Sequence, residues 1–153
     1  MSLNEKELII LSHLRQNARK NLTKISRQTG IPVSTLFDKL RKYQQGIITK
    51  QTVLLDFSKL GFDVKVKTLL KIAKDQKQEL TTYLINSPSV NSISSVTGGF
   101  DLLIEAIFRN LKELELFSDQ LEGFNIKKKE EFFVVEDIKR ESFLAHPDLI
   151  ELI

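Results

Sequence analysis

Residues 21–44 have the sequence NLTKISRQTGIPVSTLFDKLRKYQ, in which two short amphipathic segments flank a turn. Asn21 is a favoured helix N-cap residue, and Gly30 stands where a C-cap glycine is expected. Pro32 completes the turn because its fixed φ suits a helix start and not a helix interior. A second helix is then predicted over 33–44. Two helices joined by a glycine-containing turn indicate a helix-turn-helix, whose second helix enters the DNA major groove.

The charge of the chain is unevenly distributed. Its 153 residues include 23 Lys and Arg and 20 Asp and Glu, for a net charge of +3. Residues 1–50 hold ten basic and three acidic side chains, a balance of +7, whereas residues 51–153 have a balance of −4. A basic lobe of this kind is typical of a nucleic-acid-binding domain. We therefore expect double-stranded DNA as the partner of the first fifty residues.

The composition excludes several other classes of protein. The chain has no cysteine, which excludes disulfide scaffolds, Cys-ligated zinc and thiol catalysis. No apolar run approaches the roughly 18 residues of a membrane span, and the N-terminus has no signal-peptide pattern. We expect a cytoplasmic, nucleoid-associated protein without a membrane partner, a metal or a cofactor.

The remaining sequence predicts a second domain. Asn4 and Glu7 have the spacing of a capping box for a first helix, and the β-branched and apolar stretch 47–57 predicts a strand pair or wing. Beyond residue 62 the predicted elements are a strand over 63–72, a helix over 75–85, strands over 92–96 and 102–108, a helix from Asn110 to Gly123 and a strand over 131–139. This order is βαββαβ, the ferredoxin-like arrangement, so the fold class is α+β.

Four segments follow from these patterns. They are a winged helix-turn-helix DNA-binding domain over 1–50, a connector strand and hinge over 51–62, a ferredoxin-like βαββαβ domain over 63–141, and an apolar C-terminal tail over 142–153 with no clear partner.

The predicted second helix of the helix-turn-helix has two faces. Val33, Leu36, Leu40 and Tyr43 share the inward face, and Arg41 on the opposite face could pair with guanine O6 and N7. Lys24, Arg27, Lys39 and Lys50 are better placed for phosphates. Phe37 lies at the edge, where it could touch a thymine methyl or pack against the wing. The predicted DNA-binding residues are Asn21, Thr23, Lys24, Arg27, Ser34, Thr35, Asp38, Lys39, Arg41, Lys42 and Lys50.

Several motifs in colinear order resemble the Lrp/AsnC (feast/famine) transcription regulators. The matching stretches are 3–19, 30–36, 46–61, the turn Val96-Thr97-Gly98-Gly99-Phe100-Asp101 and 138–140. The resemblance implies a winged helix-turn-helix joined to a RAM-type βαββαβ domain that serves effector binding and oligomerisation. It implies a homodimer, which in many members assembles further to a tetramer or octamer.

The resemblance also implies an effector site. Many family members bind an amino acid or a related metabolite near a T-G-x-aromatic-Asp turn, which places the effector-binding residues at Thr97, Gly98, Gly99, Phe100 and Asp101. Gly99 departs from the family pattern because a polar residue is usual there. A plain hairpin turn that needs positive φ is an equal alternative for Gly98-Gly99.

The strand over 102–108 independently predicts self-association. Its sequence, LLIEAIF, is apolar at both parities, unlike a strand with one solvated side. Because the two helices of a βαββαβ unit cover the same face of the sheet, we expect the other face to pack against a second copy. A twofold dimer would present its recognition helices to half-sites of a pseudo-palindromic operator, about 34–36 Å apart.

Two other functions compete with a sequence-specific regulator. An architectural DNA-binding protein without an effector would use the same basic lobe. An enzyme is the second alternative, because tetrapyrrole decarboxylases share this two-domain architecture. Catalysis there would need a His or Arg cluster, whereas His13 and His146 are far apart in the sequence. We therefore expect no enzymatic activity and no catalytic residues.

Overall fold

The computed structural model describes residues 3–152 and divides into two compact units. The first unit contains the described residues up to Leu54 together with those from Ile138 onward, and the second contains Leu55–Asp137. The helices are α1 (Glu5–Gln16), α2 (Leu22–Thr29), α3 (Val33–Gln44), α4 (Lys77–Asn86) and α5 (Leu111–Glu122), and the strands are β1 (Val64–Ile72), β2 (Val90–Ser95), β3 (Leu102–Phe108) and β4 (Ile126–Phe133). Two 3₁₀ turns cover Ser58–Leu60 and Pro147–Leu152. Within the described range, no helix has the length and apolar character that a membrane crossing requires.

The first unit is a helix-turn-helix whose helix ends are fixed by local chemistry. Asn4 and Glu7 form the predicted reciprocal capping box at the start of α1. The side chain of Asn21 accepts a hydrogen bond from the backbone amide of Thr23 and caps α2, which ends at Gly30 with φ +70°. Glycine adopts this left-handed conformation without the steric cost of a Cβ. The predicted bounds of α3, 33–44, are confirmed.

The core of this unit is small. Four fully buried side chains hold the three helices together, and they are Ile10, Ile25, Leu36 and Tyr43. Leu11, Leu14 and Leu22 pack against them from partly buried positions. Val33 is 43% exposed, so the predicted inward placement of this residue is wrong. The fully buried residues of α3 therefore begin at Leu36, not at Val33.

The predicted strand pair over 47–57 is also wrong. The chain from Ile48 to Asp56 contains neither helix nor paired strand, and Val53 and Leu54 are more than half exposed. The β-branched composition of this stretch suits a strand, but β propensity is expressed only where a neighbouring strand supplies hydrogen bonds and packing. Within the described residues of the first unit, this segment has no such neighbour. The helix-turn-helix is thus formed without a paired wing.

The second unit is a four-stranded antiparallel sheet with strand order β2-β3-β1-β4. The side chains of β3 alternate, since its even-numbered positions are buried and its odd-numbered positions are half-buried. Leu80 and Leu84 from α4 and Leu114, Phe117 and Leu121 from α5 pack on the even-numbered side with Ile104 and Phe108. Both helices therefore cover one face of the sheet, as the βαββαβ order predicts.

The last strand lies earlier in the sequence than predicted. We expected it over 131–139, but β4 runs from Ile126 to Phe133 and includes Lys127–Lys129. An edge strand accepts lysines because one of its sides faces solvent, and charged edges are common. The apolar residues Val134 and Val135, which lie within the predicted range, follow the end of β4. Smaller differences are the start of α4 at Lys77 and of β2 at Val90.

The C-terminal segment, for which the sequence indicated no clear partner, contacts α1. Arg15 in α1 donates hydrogen bonds to the Glu141 carboxylate, at 2.7 Å, and to the Phe143 carbonyl oxygen. Ala145 and Ile150 are buried, and the Pro147–Leu152 turn contacts α1. His13 in α1 is buried, with its Nδ1 2.8 Å from Lys20 Nζ, and burial lowers the pKa of His13. The tail therefore belongs structurally to the helix-turn-helix unit.

Candidate nucleic-acid interface and effector loop

The outward face of α3 carries the polar residues that the sequence predicts for base contacts. Ser34, Thr35, Asp38, Arg41 and Lys42 are all exposed, whereas Leu36 and Tyr43 are buried. The buried side of α3 packs on the core and fixes the position of the helix. The hydrogen-bond donors on its exposed side can therefore face DNA without a rearrangement of the helix. Arg41 lies in the last turn of α3, and its guanidinium has the forked geometry that suits guanine.

Lys39 has a structural partner in addition to its predicted phosphate. Its Nζ lies 2.7 Å from Glu7 Oε1, and the Tyr43 hydroxyl donates to the same oxygen at 3.4 Å. The ammonium of Lys39 is the main cause that lowers the pKa of the Glu7 carboxyl. Burial, with the nearby Glu7 charge, raises the pKa of Tyr43 to about 12. These contacts tie α1 to α3, a connection that sequence spacing did not reveal.

The other predicted DNA-binding residues remain exposed. Thr23, Lys24 and Arg27 lie on the surface of α2, and Lys50 lies beyond α3 in the unpaired segment. The side-chain oxygen of Asn21 is occupied by its capping hydrogen bond, at 2.8 Å. Its carboxamide nitrogen is the group that could reach a phosphate. Basic residues on a helix next to the reading helix give affinity without sequence information.

Phe37 is exposed on α3, with 59% of its surface accessible. The sequence left two interpretations open, a thymine methyl contact and packing against a wing. Because residues 47–57 form no strand pair, the part of the chain that the structure describes contains no wing strand against which the Phe37 ring could pack. The exposed ring is one helical turn from Arg41, on the same side of the helix.

The predicted effector turn forms the connection between β2 and β3. Gly98 and Gly99 have φ values of +87° and +99°, so both require the conformational freedom of glycine. Phe100 is half-buried, and Thr97 is exposed. The loop therefore spans six residues from Val96 to Asp101, longer than a two-residue hairpin turn.

Asp101 anchors this loop to the end of β1. Its Oδ2 accepts a hydrogen bond from the Ile72 backbone amide at 2.9 Å, and its own amide donates to the Leu70 carbonyl. The bond from Ile72 is the largest cause that lowers the pKa of Asp101, with smaller contributions from nearby lysines. This carboxylate thus fixes the loop conformation through its own hydrogen bonds.

The face of the sheet opposite the helices is partly apolar. Leu69, Leu103 and Ile107 are half-buried there, and Phe132 on β4 is 52% exposed. Lys67 and Glu105 pair across strands at 3.8 Å, and Asn91 donates to the same carboxylate at 2.7 Å. Apolar side chains interspersed with charge pairs form a surface that a second copy could cover. Within residues 3–152, no cluster of three or more His, Asp or Glu residues could hold a metal ion.

Curated relatives of the chain are helix-turn-helix regulators. The HTH-type transcriptional regulator FL11 of Pyrococcus horikoshii is 28% identical over 118 residues, which cover 76% of this chain and 78% of that protein. An uncharacterized HTH-type transcriptional regulator of the same organism is 24% identical over 148 residues, or 96% of this chain and 100% of that protein. No protein-family model matches the chain.

Solved structures share the fold. A transcriptional regulator from Neisseria meningitidis in complex with L-Met has a TM-score of 0.83 at 23% identity, covering 91% of this chain and 94% of that one. LrpC of Bacillus subtilis has a TM-score of 0.82 at 17% identity, covering 91% and 99%. AsnC of Escherichia coli has a TM-score of 0.80 at 20% identity, covering 92% and 97%. The comparisons confirm the predicted resemblance and the predicted α+β fold class, and they support a DNA-binding regulator.

Proposed function

We propose that this chain, with the fold of the Lrp/AsnC regulators and curated relatives among HTH-type transcriptional regulators, is a sequence-specific DNA-binding regulator. The single observation that supports it best is the exposed polar face of α3 within a lobe of charge +7. Arg41, Ser34 and Thr35 would contact base edges, whereas Lys24, Arg27 and Lys50 would contact phosphates. Such a protein acts in the cytoplasm, in association with the nucleoid.

The functional unit in this proposal is a homodimer formed through the helix-free face of the sheet. Leu69, Leu103 and Ile107 would be removed from water when that face meets its copy, and burial of apolar surface contributes about 25 cal/mol per Å². A twofold dimer presents the same patch from both subunits and directs two α3 helices to successive major grooves. The operator would therefore be an imperfect palindrome, with further assembly to tetramers or octamers in the manner of the family.

Small-molecule control would act through the loop 96–101. The Neisseria meningitidis regulator with this fold was solved with L-Met. The loop here offers open backbone at Gly98 and Gly99 and a half-buried ring at Phe100. Asp101 keeps this conformation in place. An amino acid or a related metabolite is the class of effector that the resemblance implies.

Catalysis is not part of the proposal. The relatives are named as transcriptional regulators. The two carboxylates of the β3 region, Asp101 and Glu105, are both engaged in hydrogen bonds that stabilise the unit. Asp101 accepts a hydrogen bond from the Ile72 amide and Glu105 accepts one from Asn91, which gives each carboxylate a structural role.

The central experiment is selection of bound DNA from a random pool by the full-length protein, with and without an amino-acid mixture. The proposal expects an enriched, imperfectly palindromic site, and an effector would change its occupancy. Enrichment of no sequence, together with a steep loss of binding as salt rises, would instead indicate an architectural DNA-binding protein.

The proposed dimer can be tested with charge substitutions. Ile107→Lys places a charge on the helix-free face and should give a monomer in sedimentation velocity, because an unpaired charge is costly in an interface. Leu116→Lys on α5 is the control, since Leu116 is 55% exposed on the helical side. A dimer that persists in Ile107→Lys would place the interface elsewhere.

A further inference from the structure

Lysines converge on the loop 96–101 from three elements. Lys71 at the end of β1 donates to the Gly99 carbonyl at 3.3 Å, and Lys128 on β4 lies 4.6 Å from the centre of the Phe100 ring. Lys77 at the start of α4 lies 4.0 Å from Asp101 Oδ1. The nearby charges of Lys77, Lys71 and Lys127 each help to lower the pKa of Asp101.

Two of these lysines occupy directly opposed positions on neighbouring strands. Lys71 pairs with Lys128 in the antiparallel register of β1 and β4. Its neighbours Leu70 and Ile72 are buried in the core, so Lys71 points to the helix-free face. Like charges placed opposite each other destabilise a sheet. The Glu130 carboxylate offsets this repulsion at Lys128, 2.7 Å away, and a negatively charged ligand would offset it at Lys71.

The carboxylates near the loop balance only part of this positive charge. Glu130 pairs with Lys128 at 2.7 Å, and Asp101 is within 4.0 Å of Lys77. Four lysines, at positions 71, 77, 127 and 128, thus face two carboxylates around the same loop. The surplus of two positive charges matches a ligand that carries two negative charges.

The loop backbone supplies a second, independent feature. Beyond the adjoining residues, no heavy atom would lie within 4 Å of a Cβ on Gly98 or Gly99, so the space in front of both is open. In the described part of the chain, the amide N–H groups of residues 97–100 donate to no other residue. Backbone amides without an acceptor are hydrogen-bond donors available to an anionic ligand.

We propose that the loop 97–100, with Lys71 and Lys128, binds a small metabolite carrying two negative charges, either carboxylates or a phosphate group. This inference rests on the proposed function, because it names the chemical class of the effector. Lys71 and Lys128 would hold the anionic groups, and the loop amides would donate to the remaining oxygens. A zwitterionic amino acid, whose carboxylate charge is offset by its ammonium, would not neutralise the surplus of positive charge around the loop.

Isothermal titration calorimetry of the full-length protein at constant ionic strength tests the inference. The probes are succinate, 2-oxoglutarate, inorganic phosphate and glycerol 3-phosphate, against L-methionine and L-leucine as zwitterions. We expect at least one dianion to bind more tightly than both zwitterions. The carboxylate and phosphate probes distinguish the two sources of the charge. Tighter binding by a zwitterion, or no binding by any dianion at millimolar concentration, would overturn the inference.

Matched variants locate the site. Lys71→Gln and Lys128→Gln should each lower the affinity for the dianion by about tenfold or more, the loss expected for one charge-assisted hydrogen bond. Lys112→Gln removes an exposed lysine of α5, at the opposite end of β3 from the loop, and should leave the affinity unchanged. Equal affinity in all three variants would contradict the assignment. Because calorimetry contains no DNA, its outcome is separate from the DNA selection, whose failure alone would refute the proposed function.

Discussion

Leu36→Ala should strongly destabilise the DNA-binding unit while leaving the stability of the sheet unit unchanged. Leu36 has no exposed surface and is one of four fully buried side chains in its core. The substitution removes about three carbons, worth about 0.8 kcal/mol each in transfer free energy, and leaves a cavity, so the expected loss is about 3–4 kcal/mol. A unit of roughly 70 residues has a stability of about 3.5–10 kcal/mol. The loss is therefore a large part of the total.

Urea denaturation followed by circular dichroism measures this effect, with DNA binding followed by fluorescence anisotropy. Leu54→Ala is the control, because Leu54 belongs to the same unit and is 54% exposed. It should lose less than about 1 kcal/mol. Sedimentation should give the same oligomeric state for Leu36→Ala as for the unchanged protein, since the proposed dimer face belongs to the sheet unit, whose buried cluster is separate. Equal losses for the two variants would refute the reasoning that this small core holds α3 in place.

Three further predictions concern the same unit. The pKa of Tyr43 is raised to about 12 in the folded protein, against about 10 in the unfolded chain. The protonated hydroxyl therefore contributes its full share to the free energy of unfolding below pH 10, and this share, about 2–3 kcal/mol, is lost as the pH rises towards 12. Tyr43→Phe should remove this decline in stability, as measured by urea denaturation at alkaline pH. Asn21→Ala should cost about 1 kcal/mol because Thr23 loses its capping acceptor, whereas Asn21→Asp should retain most of that stability, both measured by urea denaturation. Arg15→Ala should release the tail from α1, seen as faster proteolysis beyond Glu141, with less than about 1 kcal/mol of stability lost; an unchanged cleavage rate would contradict the role of Arg15.

Local signals predicted the helix ends well. Asn4 with Glu7, Asn21 and Asn110 all cap helices as expected, because capping depends on a hydrogen bond between residues close in sequence. Gly30 likewise adopts the expected left-handed conformation. The same reasoning gave the bounds of α3 and of β3, where periodicity extends over the whole element.

Strand existence was harder to predict because it depends on partners distant in sequence. The stretch 47–57 has strand composition without a neighbouring strand, whereas Lys127–Lys129 has little strand character but pairs with β1. Composition alone could not distinguish these two cases. The contact of the tail with α1 depends on Arg15 and Glu141, which are 126 positions apart.

The candidate sites likewise divide into features set by residues close in sequence, which were predictable, and contacts between distant residues, which were not. The polar face of α3 was predictable, since every residue on it lies on one helix. The partner of Lys39, Glu7 in α1, was not, because the contact joins two helices. Lys71 and Lys128 face each other because of the register between β1 and β4. The sequence could not predict this pair, since it placed the last strand after Lys128.

Base reading by α3 is tested most directly by the affinity of Arg41→Ala for the selected operator and for variants in which each guanine is replaced. We predict a loss of about 1–3 kcal/mol on the operator and relaxed discrimination at one guanine position. Lys50→Ala, the phosphate control, should weaken all sequences alike and reduce the salt dependence. If Arg41→Ala also weakens every sequence equally, Arg41 contacts only the backbone and the account of α3 as the reading helix is contradicted.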